Sequence, residues 1–325
     1  MNLLPSRRAF LSASAMLAAG ALSPATWAQP GTIKFVLPNA TGSGVDAMTR
    51  AAAPALGKVL GASVVVENQP GAGGVVGLQT LARSPTDGSV LSVVSNNVVI
   101  LPSVLKSLPF SMPDDFTPIA IVGQTPMVLV ANPHKITATN AREFFALLKG
   151  SPSTFNFGSG GNGTILHLAT EMVLDAGGVK AKHIPYRGVG PMVTDLIGGQ
   201  VDFGTAALSS VQPHIKSGAL RALGVLTTER SQAAPEIPTL AEQGLANFSV
   251  EAWLAVIGPK GMSASAVRKV HAAVVAAFDD PAIKDVMAKQ GNSIQVGSSE
   301  QAVATFRSEL AKYAALVKKV GLEPQ

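Results

Sequence analysis

Short runs of β-branched and aliphatic residues recur along the chain, separated by longer stretches in which apolar residues return every three or four positions. The first pattern suits buried strands and the second amphipathic helices. Strands are predicted over 33–37, 63–67 and 90–95, with helices over 45–60 and 74–83 between them. Asn68-Gln69-Pro70-Gly71 and Pro85-Thr86-Asp87-Gly88 read as turns, because Pro presets φ and Gly takes the conformation other residues avoid. Pro54 falls inside the first helical stretch and is expected to kink or break it. A second set starts with a strand at 127–131. It continues with a helix at 140–149, a strand at 154–157, a helix at 164–176, and strands at 182–185, 201–205 and 220–226. A strand at 250–257 and helices over 264–278 and 300–320 close the chain. This alternation predicts an α/β fold whose sheets are mixed but mostly parallel and flanked by helices. The last helices look like a return to the first set. Two lobes joined by crossing strands are therefore expected, one from 29–128 and 253–325, the other from 129–252.

The amino terminus reads as an address. Residues 1–28 contain no Asp or Glu, open with Ser6-Arg7-Arg8-Ala9-Phe10-Leu11, continue through an Ala-rich apolar stretch, and end on Thr26-Trp27-Ala28. That plan is a cleavable export signal, and the paired arginines make it one of twin-arginine type, with Ser12 standing where such signals usually have Lys. The apolar stretch is shorter than the ~20 residues of a spanning helix and is broken by Gly20, Ser23 and Pro24. The expected location is the periplasm. Cleavage would remove Arg7 and Arg8, two of the five charges in the formal excess of +5. With no basic run and 5% aromatic residues, nucleic-acid binding is excluded. A 47% hydrophobic fraction excludes disorder, and the absence of Cys excludes disulfides, thiolate metal sites and Cys nucleophiles.

Two Gly-rich segments each fall between a predicted strand and a predicted helix: Pro38-Asn39-Ala40-Thr41-Gly42-Ser43-Gly44-Val45-Asp46 and Gly158-Ser159-Gly160-Gly161-Asn162-Gly163-Thr164. A helix start offers unpaired N–H groups and partial positive charge, which suits a carboxylate or phosphate, and Gly lets the backbone approach it. Either segment alone could be a capped tight turn; two of them, one per lobe, look like a clamp. His167 lies one turn after the second segment and joins the candidates. Asp46 is either a ligand contact or a helix-start stabiliser. Gly158, Gly160 and Gly163 match Gly-x-Gly-x-x-Gly, but no acidic residue follows at the end of the next strand, as a dinucleotide site requires. Ser159 has Phe157 two positions before it, so no nucleophile elbow is present. The five histidines show no metal-ligand spacing and read individually as surface or packed residues. No catalytic residue, metal or cofactor is expected.

Val66-Glu67-Asn68-Gln69-Pro70-Gly71-Ala72-Gly73-Gly74, Pro85-Thr86-Asp87-Gly88, Asp114-Asp115-Phe116-Thr117-Pro118, Ile184-Pro185-Tyr186-Arg187-Gly188, Asp195-Leu196-Ile197-Gly198-Gly199-Gln200-Val201-Asp202 and Pro238-Thr239-Leu240-Ala241-Glu242 occur in this order. Together they resemble the Bordetella uptake gene family, the extracytoplasmic solute receptors of tripartite tricarboxylate transporters. The resemblance spans nearly the whole chain after the export segment. It implies a two-lobed periplasmic binding protein of type II that closes on a small organic carboxylate, acts as a monomer and delivers to an integral-membrane permease. It also implies a ligand site partly built from backbone N–H groups and bridging waters. That site maps onto Asn39, Ala40, Thr41, Gly42, Ser43, Gly44 and Asp46, onto Ser159, Gly160, Asn162, Gly163 and Thr164, and onto Thr205 and Ala206. Relatives commonly carry an aromatic residue at Asn39, Gly at Ser43 and a hydroxyl residue at Val45, so the identity of the acid stays open. A receptor feeding a sensor kinase and a secreted α/β enzyme are the alternative readings.

Overall fold

The computed structural model describes residues 31–151, 154–322 and 324; the export segment lies outside them. In chain order the elements are β1 (Thr32–Leu37), α1 (Gly44–Leu60), β2 (Ser63–Asn68), α2 (Val75–Ala82), β3 (Val90–Ser95), α3 (Asn97–Val104) and β4 (Phe116–Ala131). There follow α4 (Ala141–Gly150), β5 (Asn156–Ser159), α5 (Ile165–Gly177), β6 (Lys182–Pro185), α6 (Val189–Ile197), β7 (Phe203–Ala207), α7 (Leu208–Lys216) and β8 (Arg221–Val225). The chain ends with β9 (Glu251–Pro259), α8 (Ala264–Asp279), α9 (Pro281–Lys289), β10 (Ser293–Ile294) and α10 (Ser299–Lys319).

Among the described residues ten strands form one sheet in the order β2-β1-β3-β9-β4-β7-β5-β6, with β8 and β10 also pairing with β4. Each wing is parallel: β1 with β2 and β3, and β5 with β6 and β7. The middle is antiparallel, through β3–β9, β9–β4 and β4–β7. β4 unites the two. Its residues Phe116 to Pro126 pair with β9, and from Met127 to Ala131 it pairs with β7 and β8. The separate sheets of the sequence reading are thus one sheet with two halves, and partner exchange at Pro126/Met127 marks the crossing.

Local chemistry sets the helix starts. Side chains of Ser43, Asn140, Thr164, Ser263 and Ser298 each accept the N–H three residues on, a cap worth about 1 kcal/mol. α1 runs through Pro54 without the break the sequence allowed, while packing through Met48, Ala52 and Leu56. The first half buries Phe35, Leu37, Leu254, Val256 and Phe278 beside those residues, and the second half buries Val128, Val130, Met192, Leu196 and Val211. A third cluster joins both, from Ile100, Phe306 and Tyr313 to Phe144, Phe157 and Phe203. Each such side chain contributes roughly 1.5–3 kcal/mol on burial. Among the described residues no helix is long and apolar enough to cross a membrane.

Candidate functional site

A cavity of about 380 Å³ lies where the two halves of the sheet meet. Its floor is the crossing itself: Thr125 and Met127 of β4 and Ala252 and Leu254 of β9. Its walls are helix starts. Gly44 and Val45 open α1, Gly74 caps α2, and Asn97 opens α3; from the other half come Thr164 and Ile165 of α5, Gly188 and Val189 of α6, and Ala207 at the cap of α7. Six helix N-termini therefore face one space. Each presents orphan N–H groups and about half a unit of positive charge, so their sum favours an anion. The described lining contains no Asp, Glu, Lys or His, and one Arg.

The first Gly-rich loop is held from behind by Asp46, which is buried and absent from the lining. Its carboxylate accepts the Gly42 N–H at 3.0 Å, the Arg50 Nε–H at 2.8 Å and the Asn68 Nδ2–H at 3.0 Å. Asn68 Nδ2 also donates to the Asn39 carbonyl at 3.1 Å. This network gives the Glu67-Asn68-Gln69-Pro70-Gly71 motif a physical reason: Asn68 anchors one loop, while Pro70 to Gly74 form part of the wall.

The second loop is held from below by two stacked imidazoles. The His167 and His183 rings lie 3.6 Å apart at 12°, with Phe157 beside the pair, 4.9 Å from His183 and 6.0 Å from His167. His167 Nδ1 accepts the Gly163 N–H at 3.1 Å, which places its ring proton on Nε2, 3.6 Å from Glu171 Oε1. His183 Nε2 meets Ser159 Oγ at 2.6 Å, and Ser159 Oγ in turn accepts the Gly161 N–H. Burial, aided by the His167 ring, pushes His183 down to about 3, so it stays neutral. His167, a candidate ligand contact in the sequence, and His183, which the sequence does not single out, act together as one support.

Of the residues singled out from sequence, Asn39, Ala40, Ser43, Gly44, Gly160, Asn162 and Thr164 line the cavity. Thr41, Gly42, Asp46, Ser159, Gly163, His167, Thr205 and Ala206 lie outside its lining. Thr205 spends its hydroxyl on Thr170 and the Leu166 carbonyl. Alternation along β7 turns Ala206 to the opposite face from Ala207. The lining also includes Pro70 to Gly74, Ser95, Asn97, Thr125, Tyr186, Arg187 and Ser210, which the sequence reading did not place at the site. Thr125 is 3% exposed, and neither its hydroxyl nor that of Ser210 has a hydrogen-bond partner among the described residues.

The halves touch around the cavity. Asn97 Oδ1, from α3, accepts the Ile165 N–H of α5 at 2.6 Å. Gly163 lies against Val104 of α3, and Gly44 against Ala207 and Ser209.

Comparison with known proteins accords with this geometry. Residues 48–322 match the tripartite tricarboxylate transporter family receptor. Protein BugT of Bordetella pertussis is 33% identical over 291 residues, 89% of each chain. The solved periplasmic binding protein BugD superposes with a TM-score of 0.86 at 30% identity, over 90% of this chain and 99% of that one. MatC from Rhodopseudomonas palustris, solved with bound malate, superposes with a TM-score of 0.82 at 25% identity, over 88% of this chain and 98% of that one. The chain belongs to the tripartite tricarboxylate transporter receptor family, and is a solute-binding protein, not an enzyme.

Proposed function

We propose that the protein is exported by its twin-arginine signal to the periplasm, captures a small organic carboxylate there, and offers it as a monomer to the permease of a tripartite transporter. The observation that carries the reading is the convergence of six helix N-termini on a cavity whose described lining has no acidic side chain. A carboxylate would sit against the first N–H groups of α1 and the Leu166 N–H of α5, beside the Ile165 N–H that Asn97 holds, so that one helix start from each half takes part. Binding then ties the halves together, so capture and closure are one event. The lobes are residues 29–128 with 253–325 and residues 129–252. The crossing at Pro126/Met127 and the facing end of β9 serve as hinge, because a partner exchange there leaves each wing's hydrogen bonds intact during rotation. Malate in MatC, a relative of the same fold, supports the carboxylate class.

The test is a thermal-shift screen of organic acids on protein refolded free of ligand. An acid at 100 times its Kd adds about 2.7 kcal/mol, or roughly 5–10 °C in Tm for a chain of this size. A panel of mono-, di- and tricarboxylates that leaves Tm unmoved at millimolar concentration would sink the proposal.

A further inference from the structure

One full charge faces the cavity. Arg187 is the only Arg, Lys, Asp, Glu or His in its described lining, and its guanidinium makes no hydrogen bond or ion pair with any described residue. Other unpaired cations of the described chain, such as Arg83, Arg268 and Arg307, lie outside the cavity lining, and Arg187 alone brings its charge to it. The Asp195 carboxylate, on α6, accepts the hydroxyl of the neighbouring Tyr186 at 2.9 Å.

The backbone on both sides of Arg187 is fixed. Before it, the Tyr186 N–H donates to the Ser159 carbonyl at 3.1 Å, and the Tyr186 carbonyl lies against Gly161, tying this segment to the second Gly-rich loop. After it, Gly188 takes φ 121°, caps α6 and packs so closely on Ala40 that a Cβ there would overlap it. Only glycine tolerates both conditions. The segment 186–188 therefore bridges the two Gly-rich loops, and Arg187 is presented at their junction. A guanidinium is permanently charged and has a planar fork of donors that matches a carboxylate.

We infer that Arg187 determines specificity by reading a second negative charge on the ligand. Helix starts hold one carboxylate, and Arg187 holds a second at the rim. The ligand class is then a small dicarboxylate. No acidic side chain in the described lining offers a partner for an ammonium, so amino acids are disfavoured. Met127, Leu254, Ile165 and Leu166 supply apolar contact for the carbon chain between the two ends. This inference rests on the carboxylate-receptor reading above.

The experiment compares pairs of equal chain length by calorimetry: succinate with butyrate, glutarate with valerate, and adipate with hexanoate, each on the full mature chain. The native protein should bind the preferred dicarboxylate at least 30-fold more tightly than its monocarboxylate partner. Arg187→Gln should cut that ratio at least tenfold, and Arg187→Lys, which keeps the charge and loses the fork, should retain part of it. Arg187 is exposed, so both variants should keep the native circular-dichroism spectrum. Dicarboxylate binding with an unchanged ratio in Arg187→Gln overturns the role of Arg187 and leaves the receptor reading standing. A native preference for monocarboxylates overturns the dicarboxylate assignment. Failure of both kinds of acid to bind overturns the receptor reading and this inference with it.

Discussion

Gly163→Ala is the substitution that separates closure from folding. Gly163 adopts φ 69°, where a non-glycine residue costs about 1–2 kcal/mol. An added Cβ would also overlap Val104, lying 2.7 Å from its Cβ, and Val104 belongs to the opposite half. Such overpacking costs roughly 1–3 kcal/mol. The backbone cost is present whether the halves are apart or together, whereas the clash arises only when they meet. The clash therefore weakens binding by about 5- to 150-fold at 1.4 kcal/mol per decade. Gly178→Ala is the matched control: its φ is 63°, and nothing lies within 4 Å of an added Cβ. Both variants should lose similar stability in the ligand-free state by urea unfolding. Calorimetry with an acid from the screen should show a weakened Kd for Gly163→Ala and an unchanged one for Gly178→Ala. Equal Kd values for the two variants would refute the reasoning, because the Gly163–Val104 contact would then play no part in the bound state.

The other predictions concern the same closed arrangement. Asn97→Ala removes the acceptor for the Ile165 N–H and should weaken binding by about 0.5–1.5 kcal/mol, or 2- to 12-fold, without lowering the ligand-free Tm; calorimetry and a melting curve check both halves of that statement. His183 is held down to about 3 from an ordinary 6.5, so the folded protein binds fewer protons than the unfolded chain. Its contribution is whole above pH 6.5 and is lost as the pH falls toward 3. Between pH 7.5 and 5 that loss is about 2 kcal/mol, reduced to roughly 1 by solvent screening at a partly exposed ring. Urea unfolding at pH 7.5 and 5.0 measures it, and His183→Phe should flatten the difference; an unaltered pH slope in the variant would contradict the assignment.

Much of this arrangement was legible in the residues because it is local. β-branched runs followed by Gly-rich segments and capping residues place Ser43 and Thr164 at helix starts, and the structure has them there. What was hidden depends on distant pairing. β3 pairs with β9 across some 160 residues, Ser92 opposite Ile257, and no periodicity encodes such a partner. The single sheet and its crossing follow from it. α3 escaped notice because Asn97-Val98-Val99-Ile100-Leu101-Pro102-Ser103-Val104 is apolar nearly all round and contains Pro, so it has no polar face to signal a helix. With α3 went Asn97. Asp46 read as either a ligand contact or a helix-start group; it lies outside the cavity lining, and its hold on Gly42, Arg50 and Asn68 required the fold. Thr205 and Ala206 lie immediately before the lining residue Ala207. Arg187 stood in a motif that was legible, yet its place in the cavity lining can be seen only once 186–188 is found packed against both Gly-rich loops.

Closure on a carboxylate is best tested by small-angle X-ray scattering on the refolded mature chain, with and without a saturating acid taken from the thermal-shift screen. The account predicts a smaller radius of gyration with the acid and no such fall in Gly163→Ala at the same acid concentration. A radius of gyration that stays unchanged on saturation of the native protein, with binding confirmed by calorimetry in the same buffer, would contradict it.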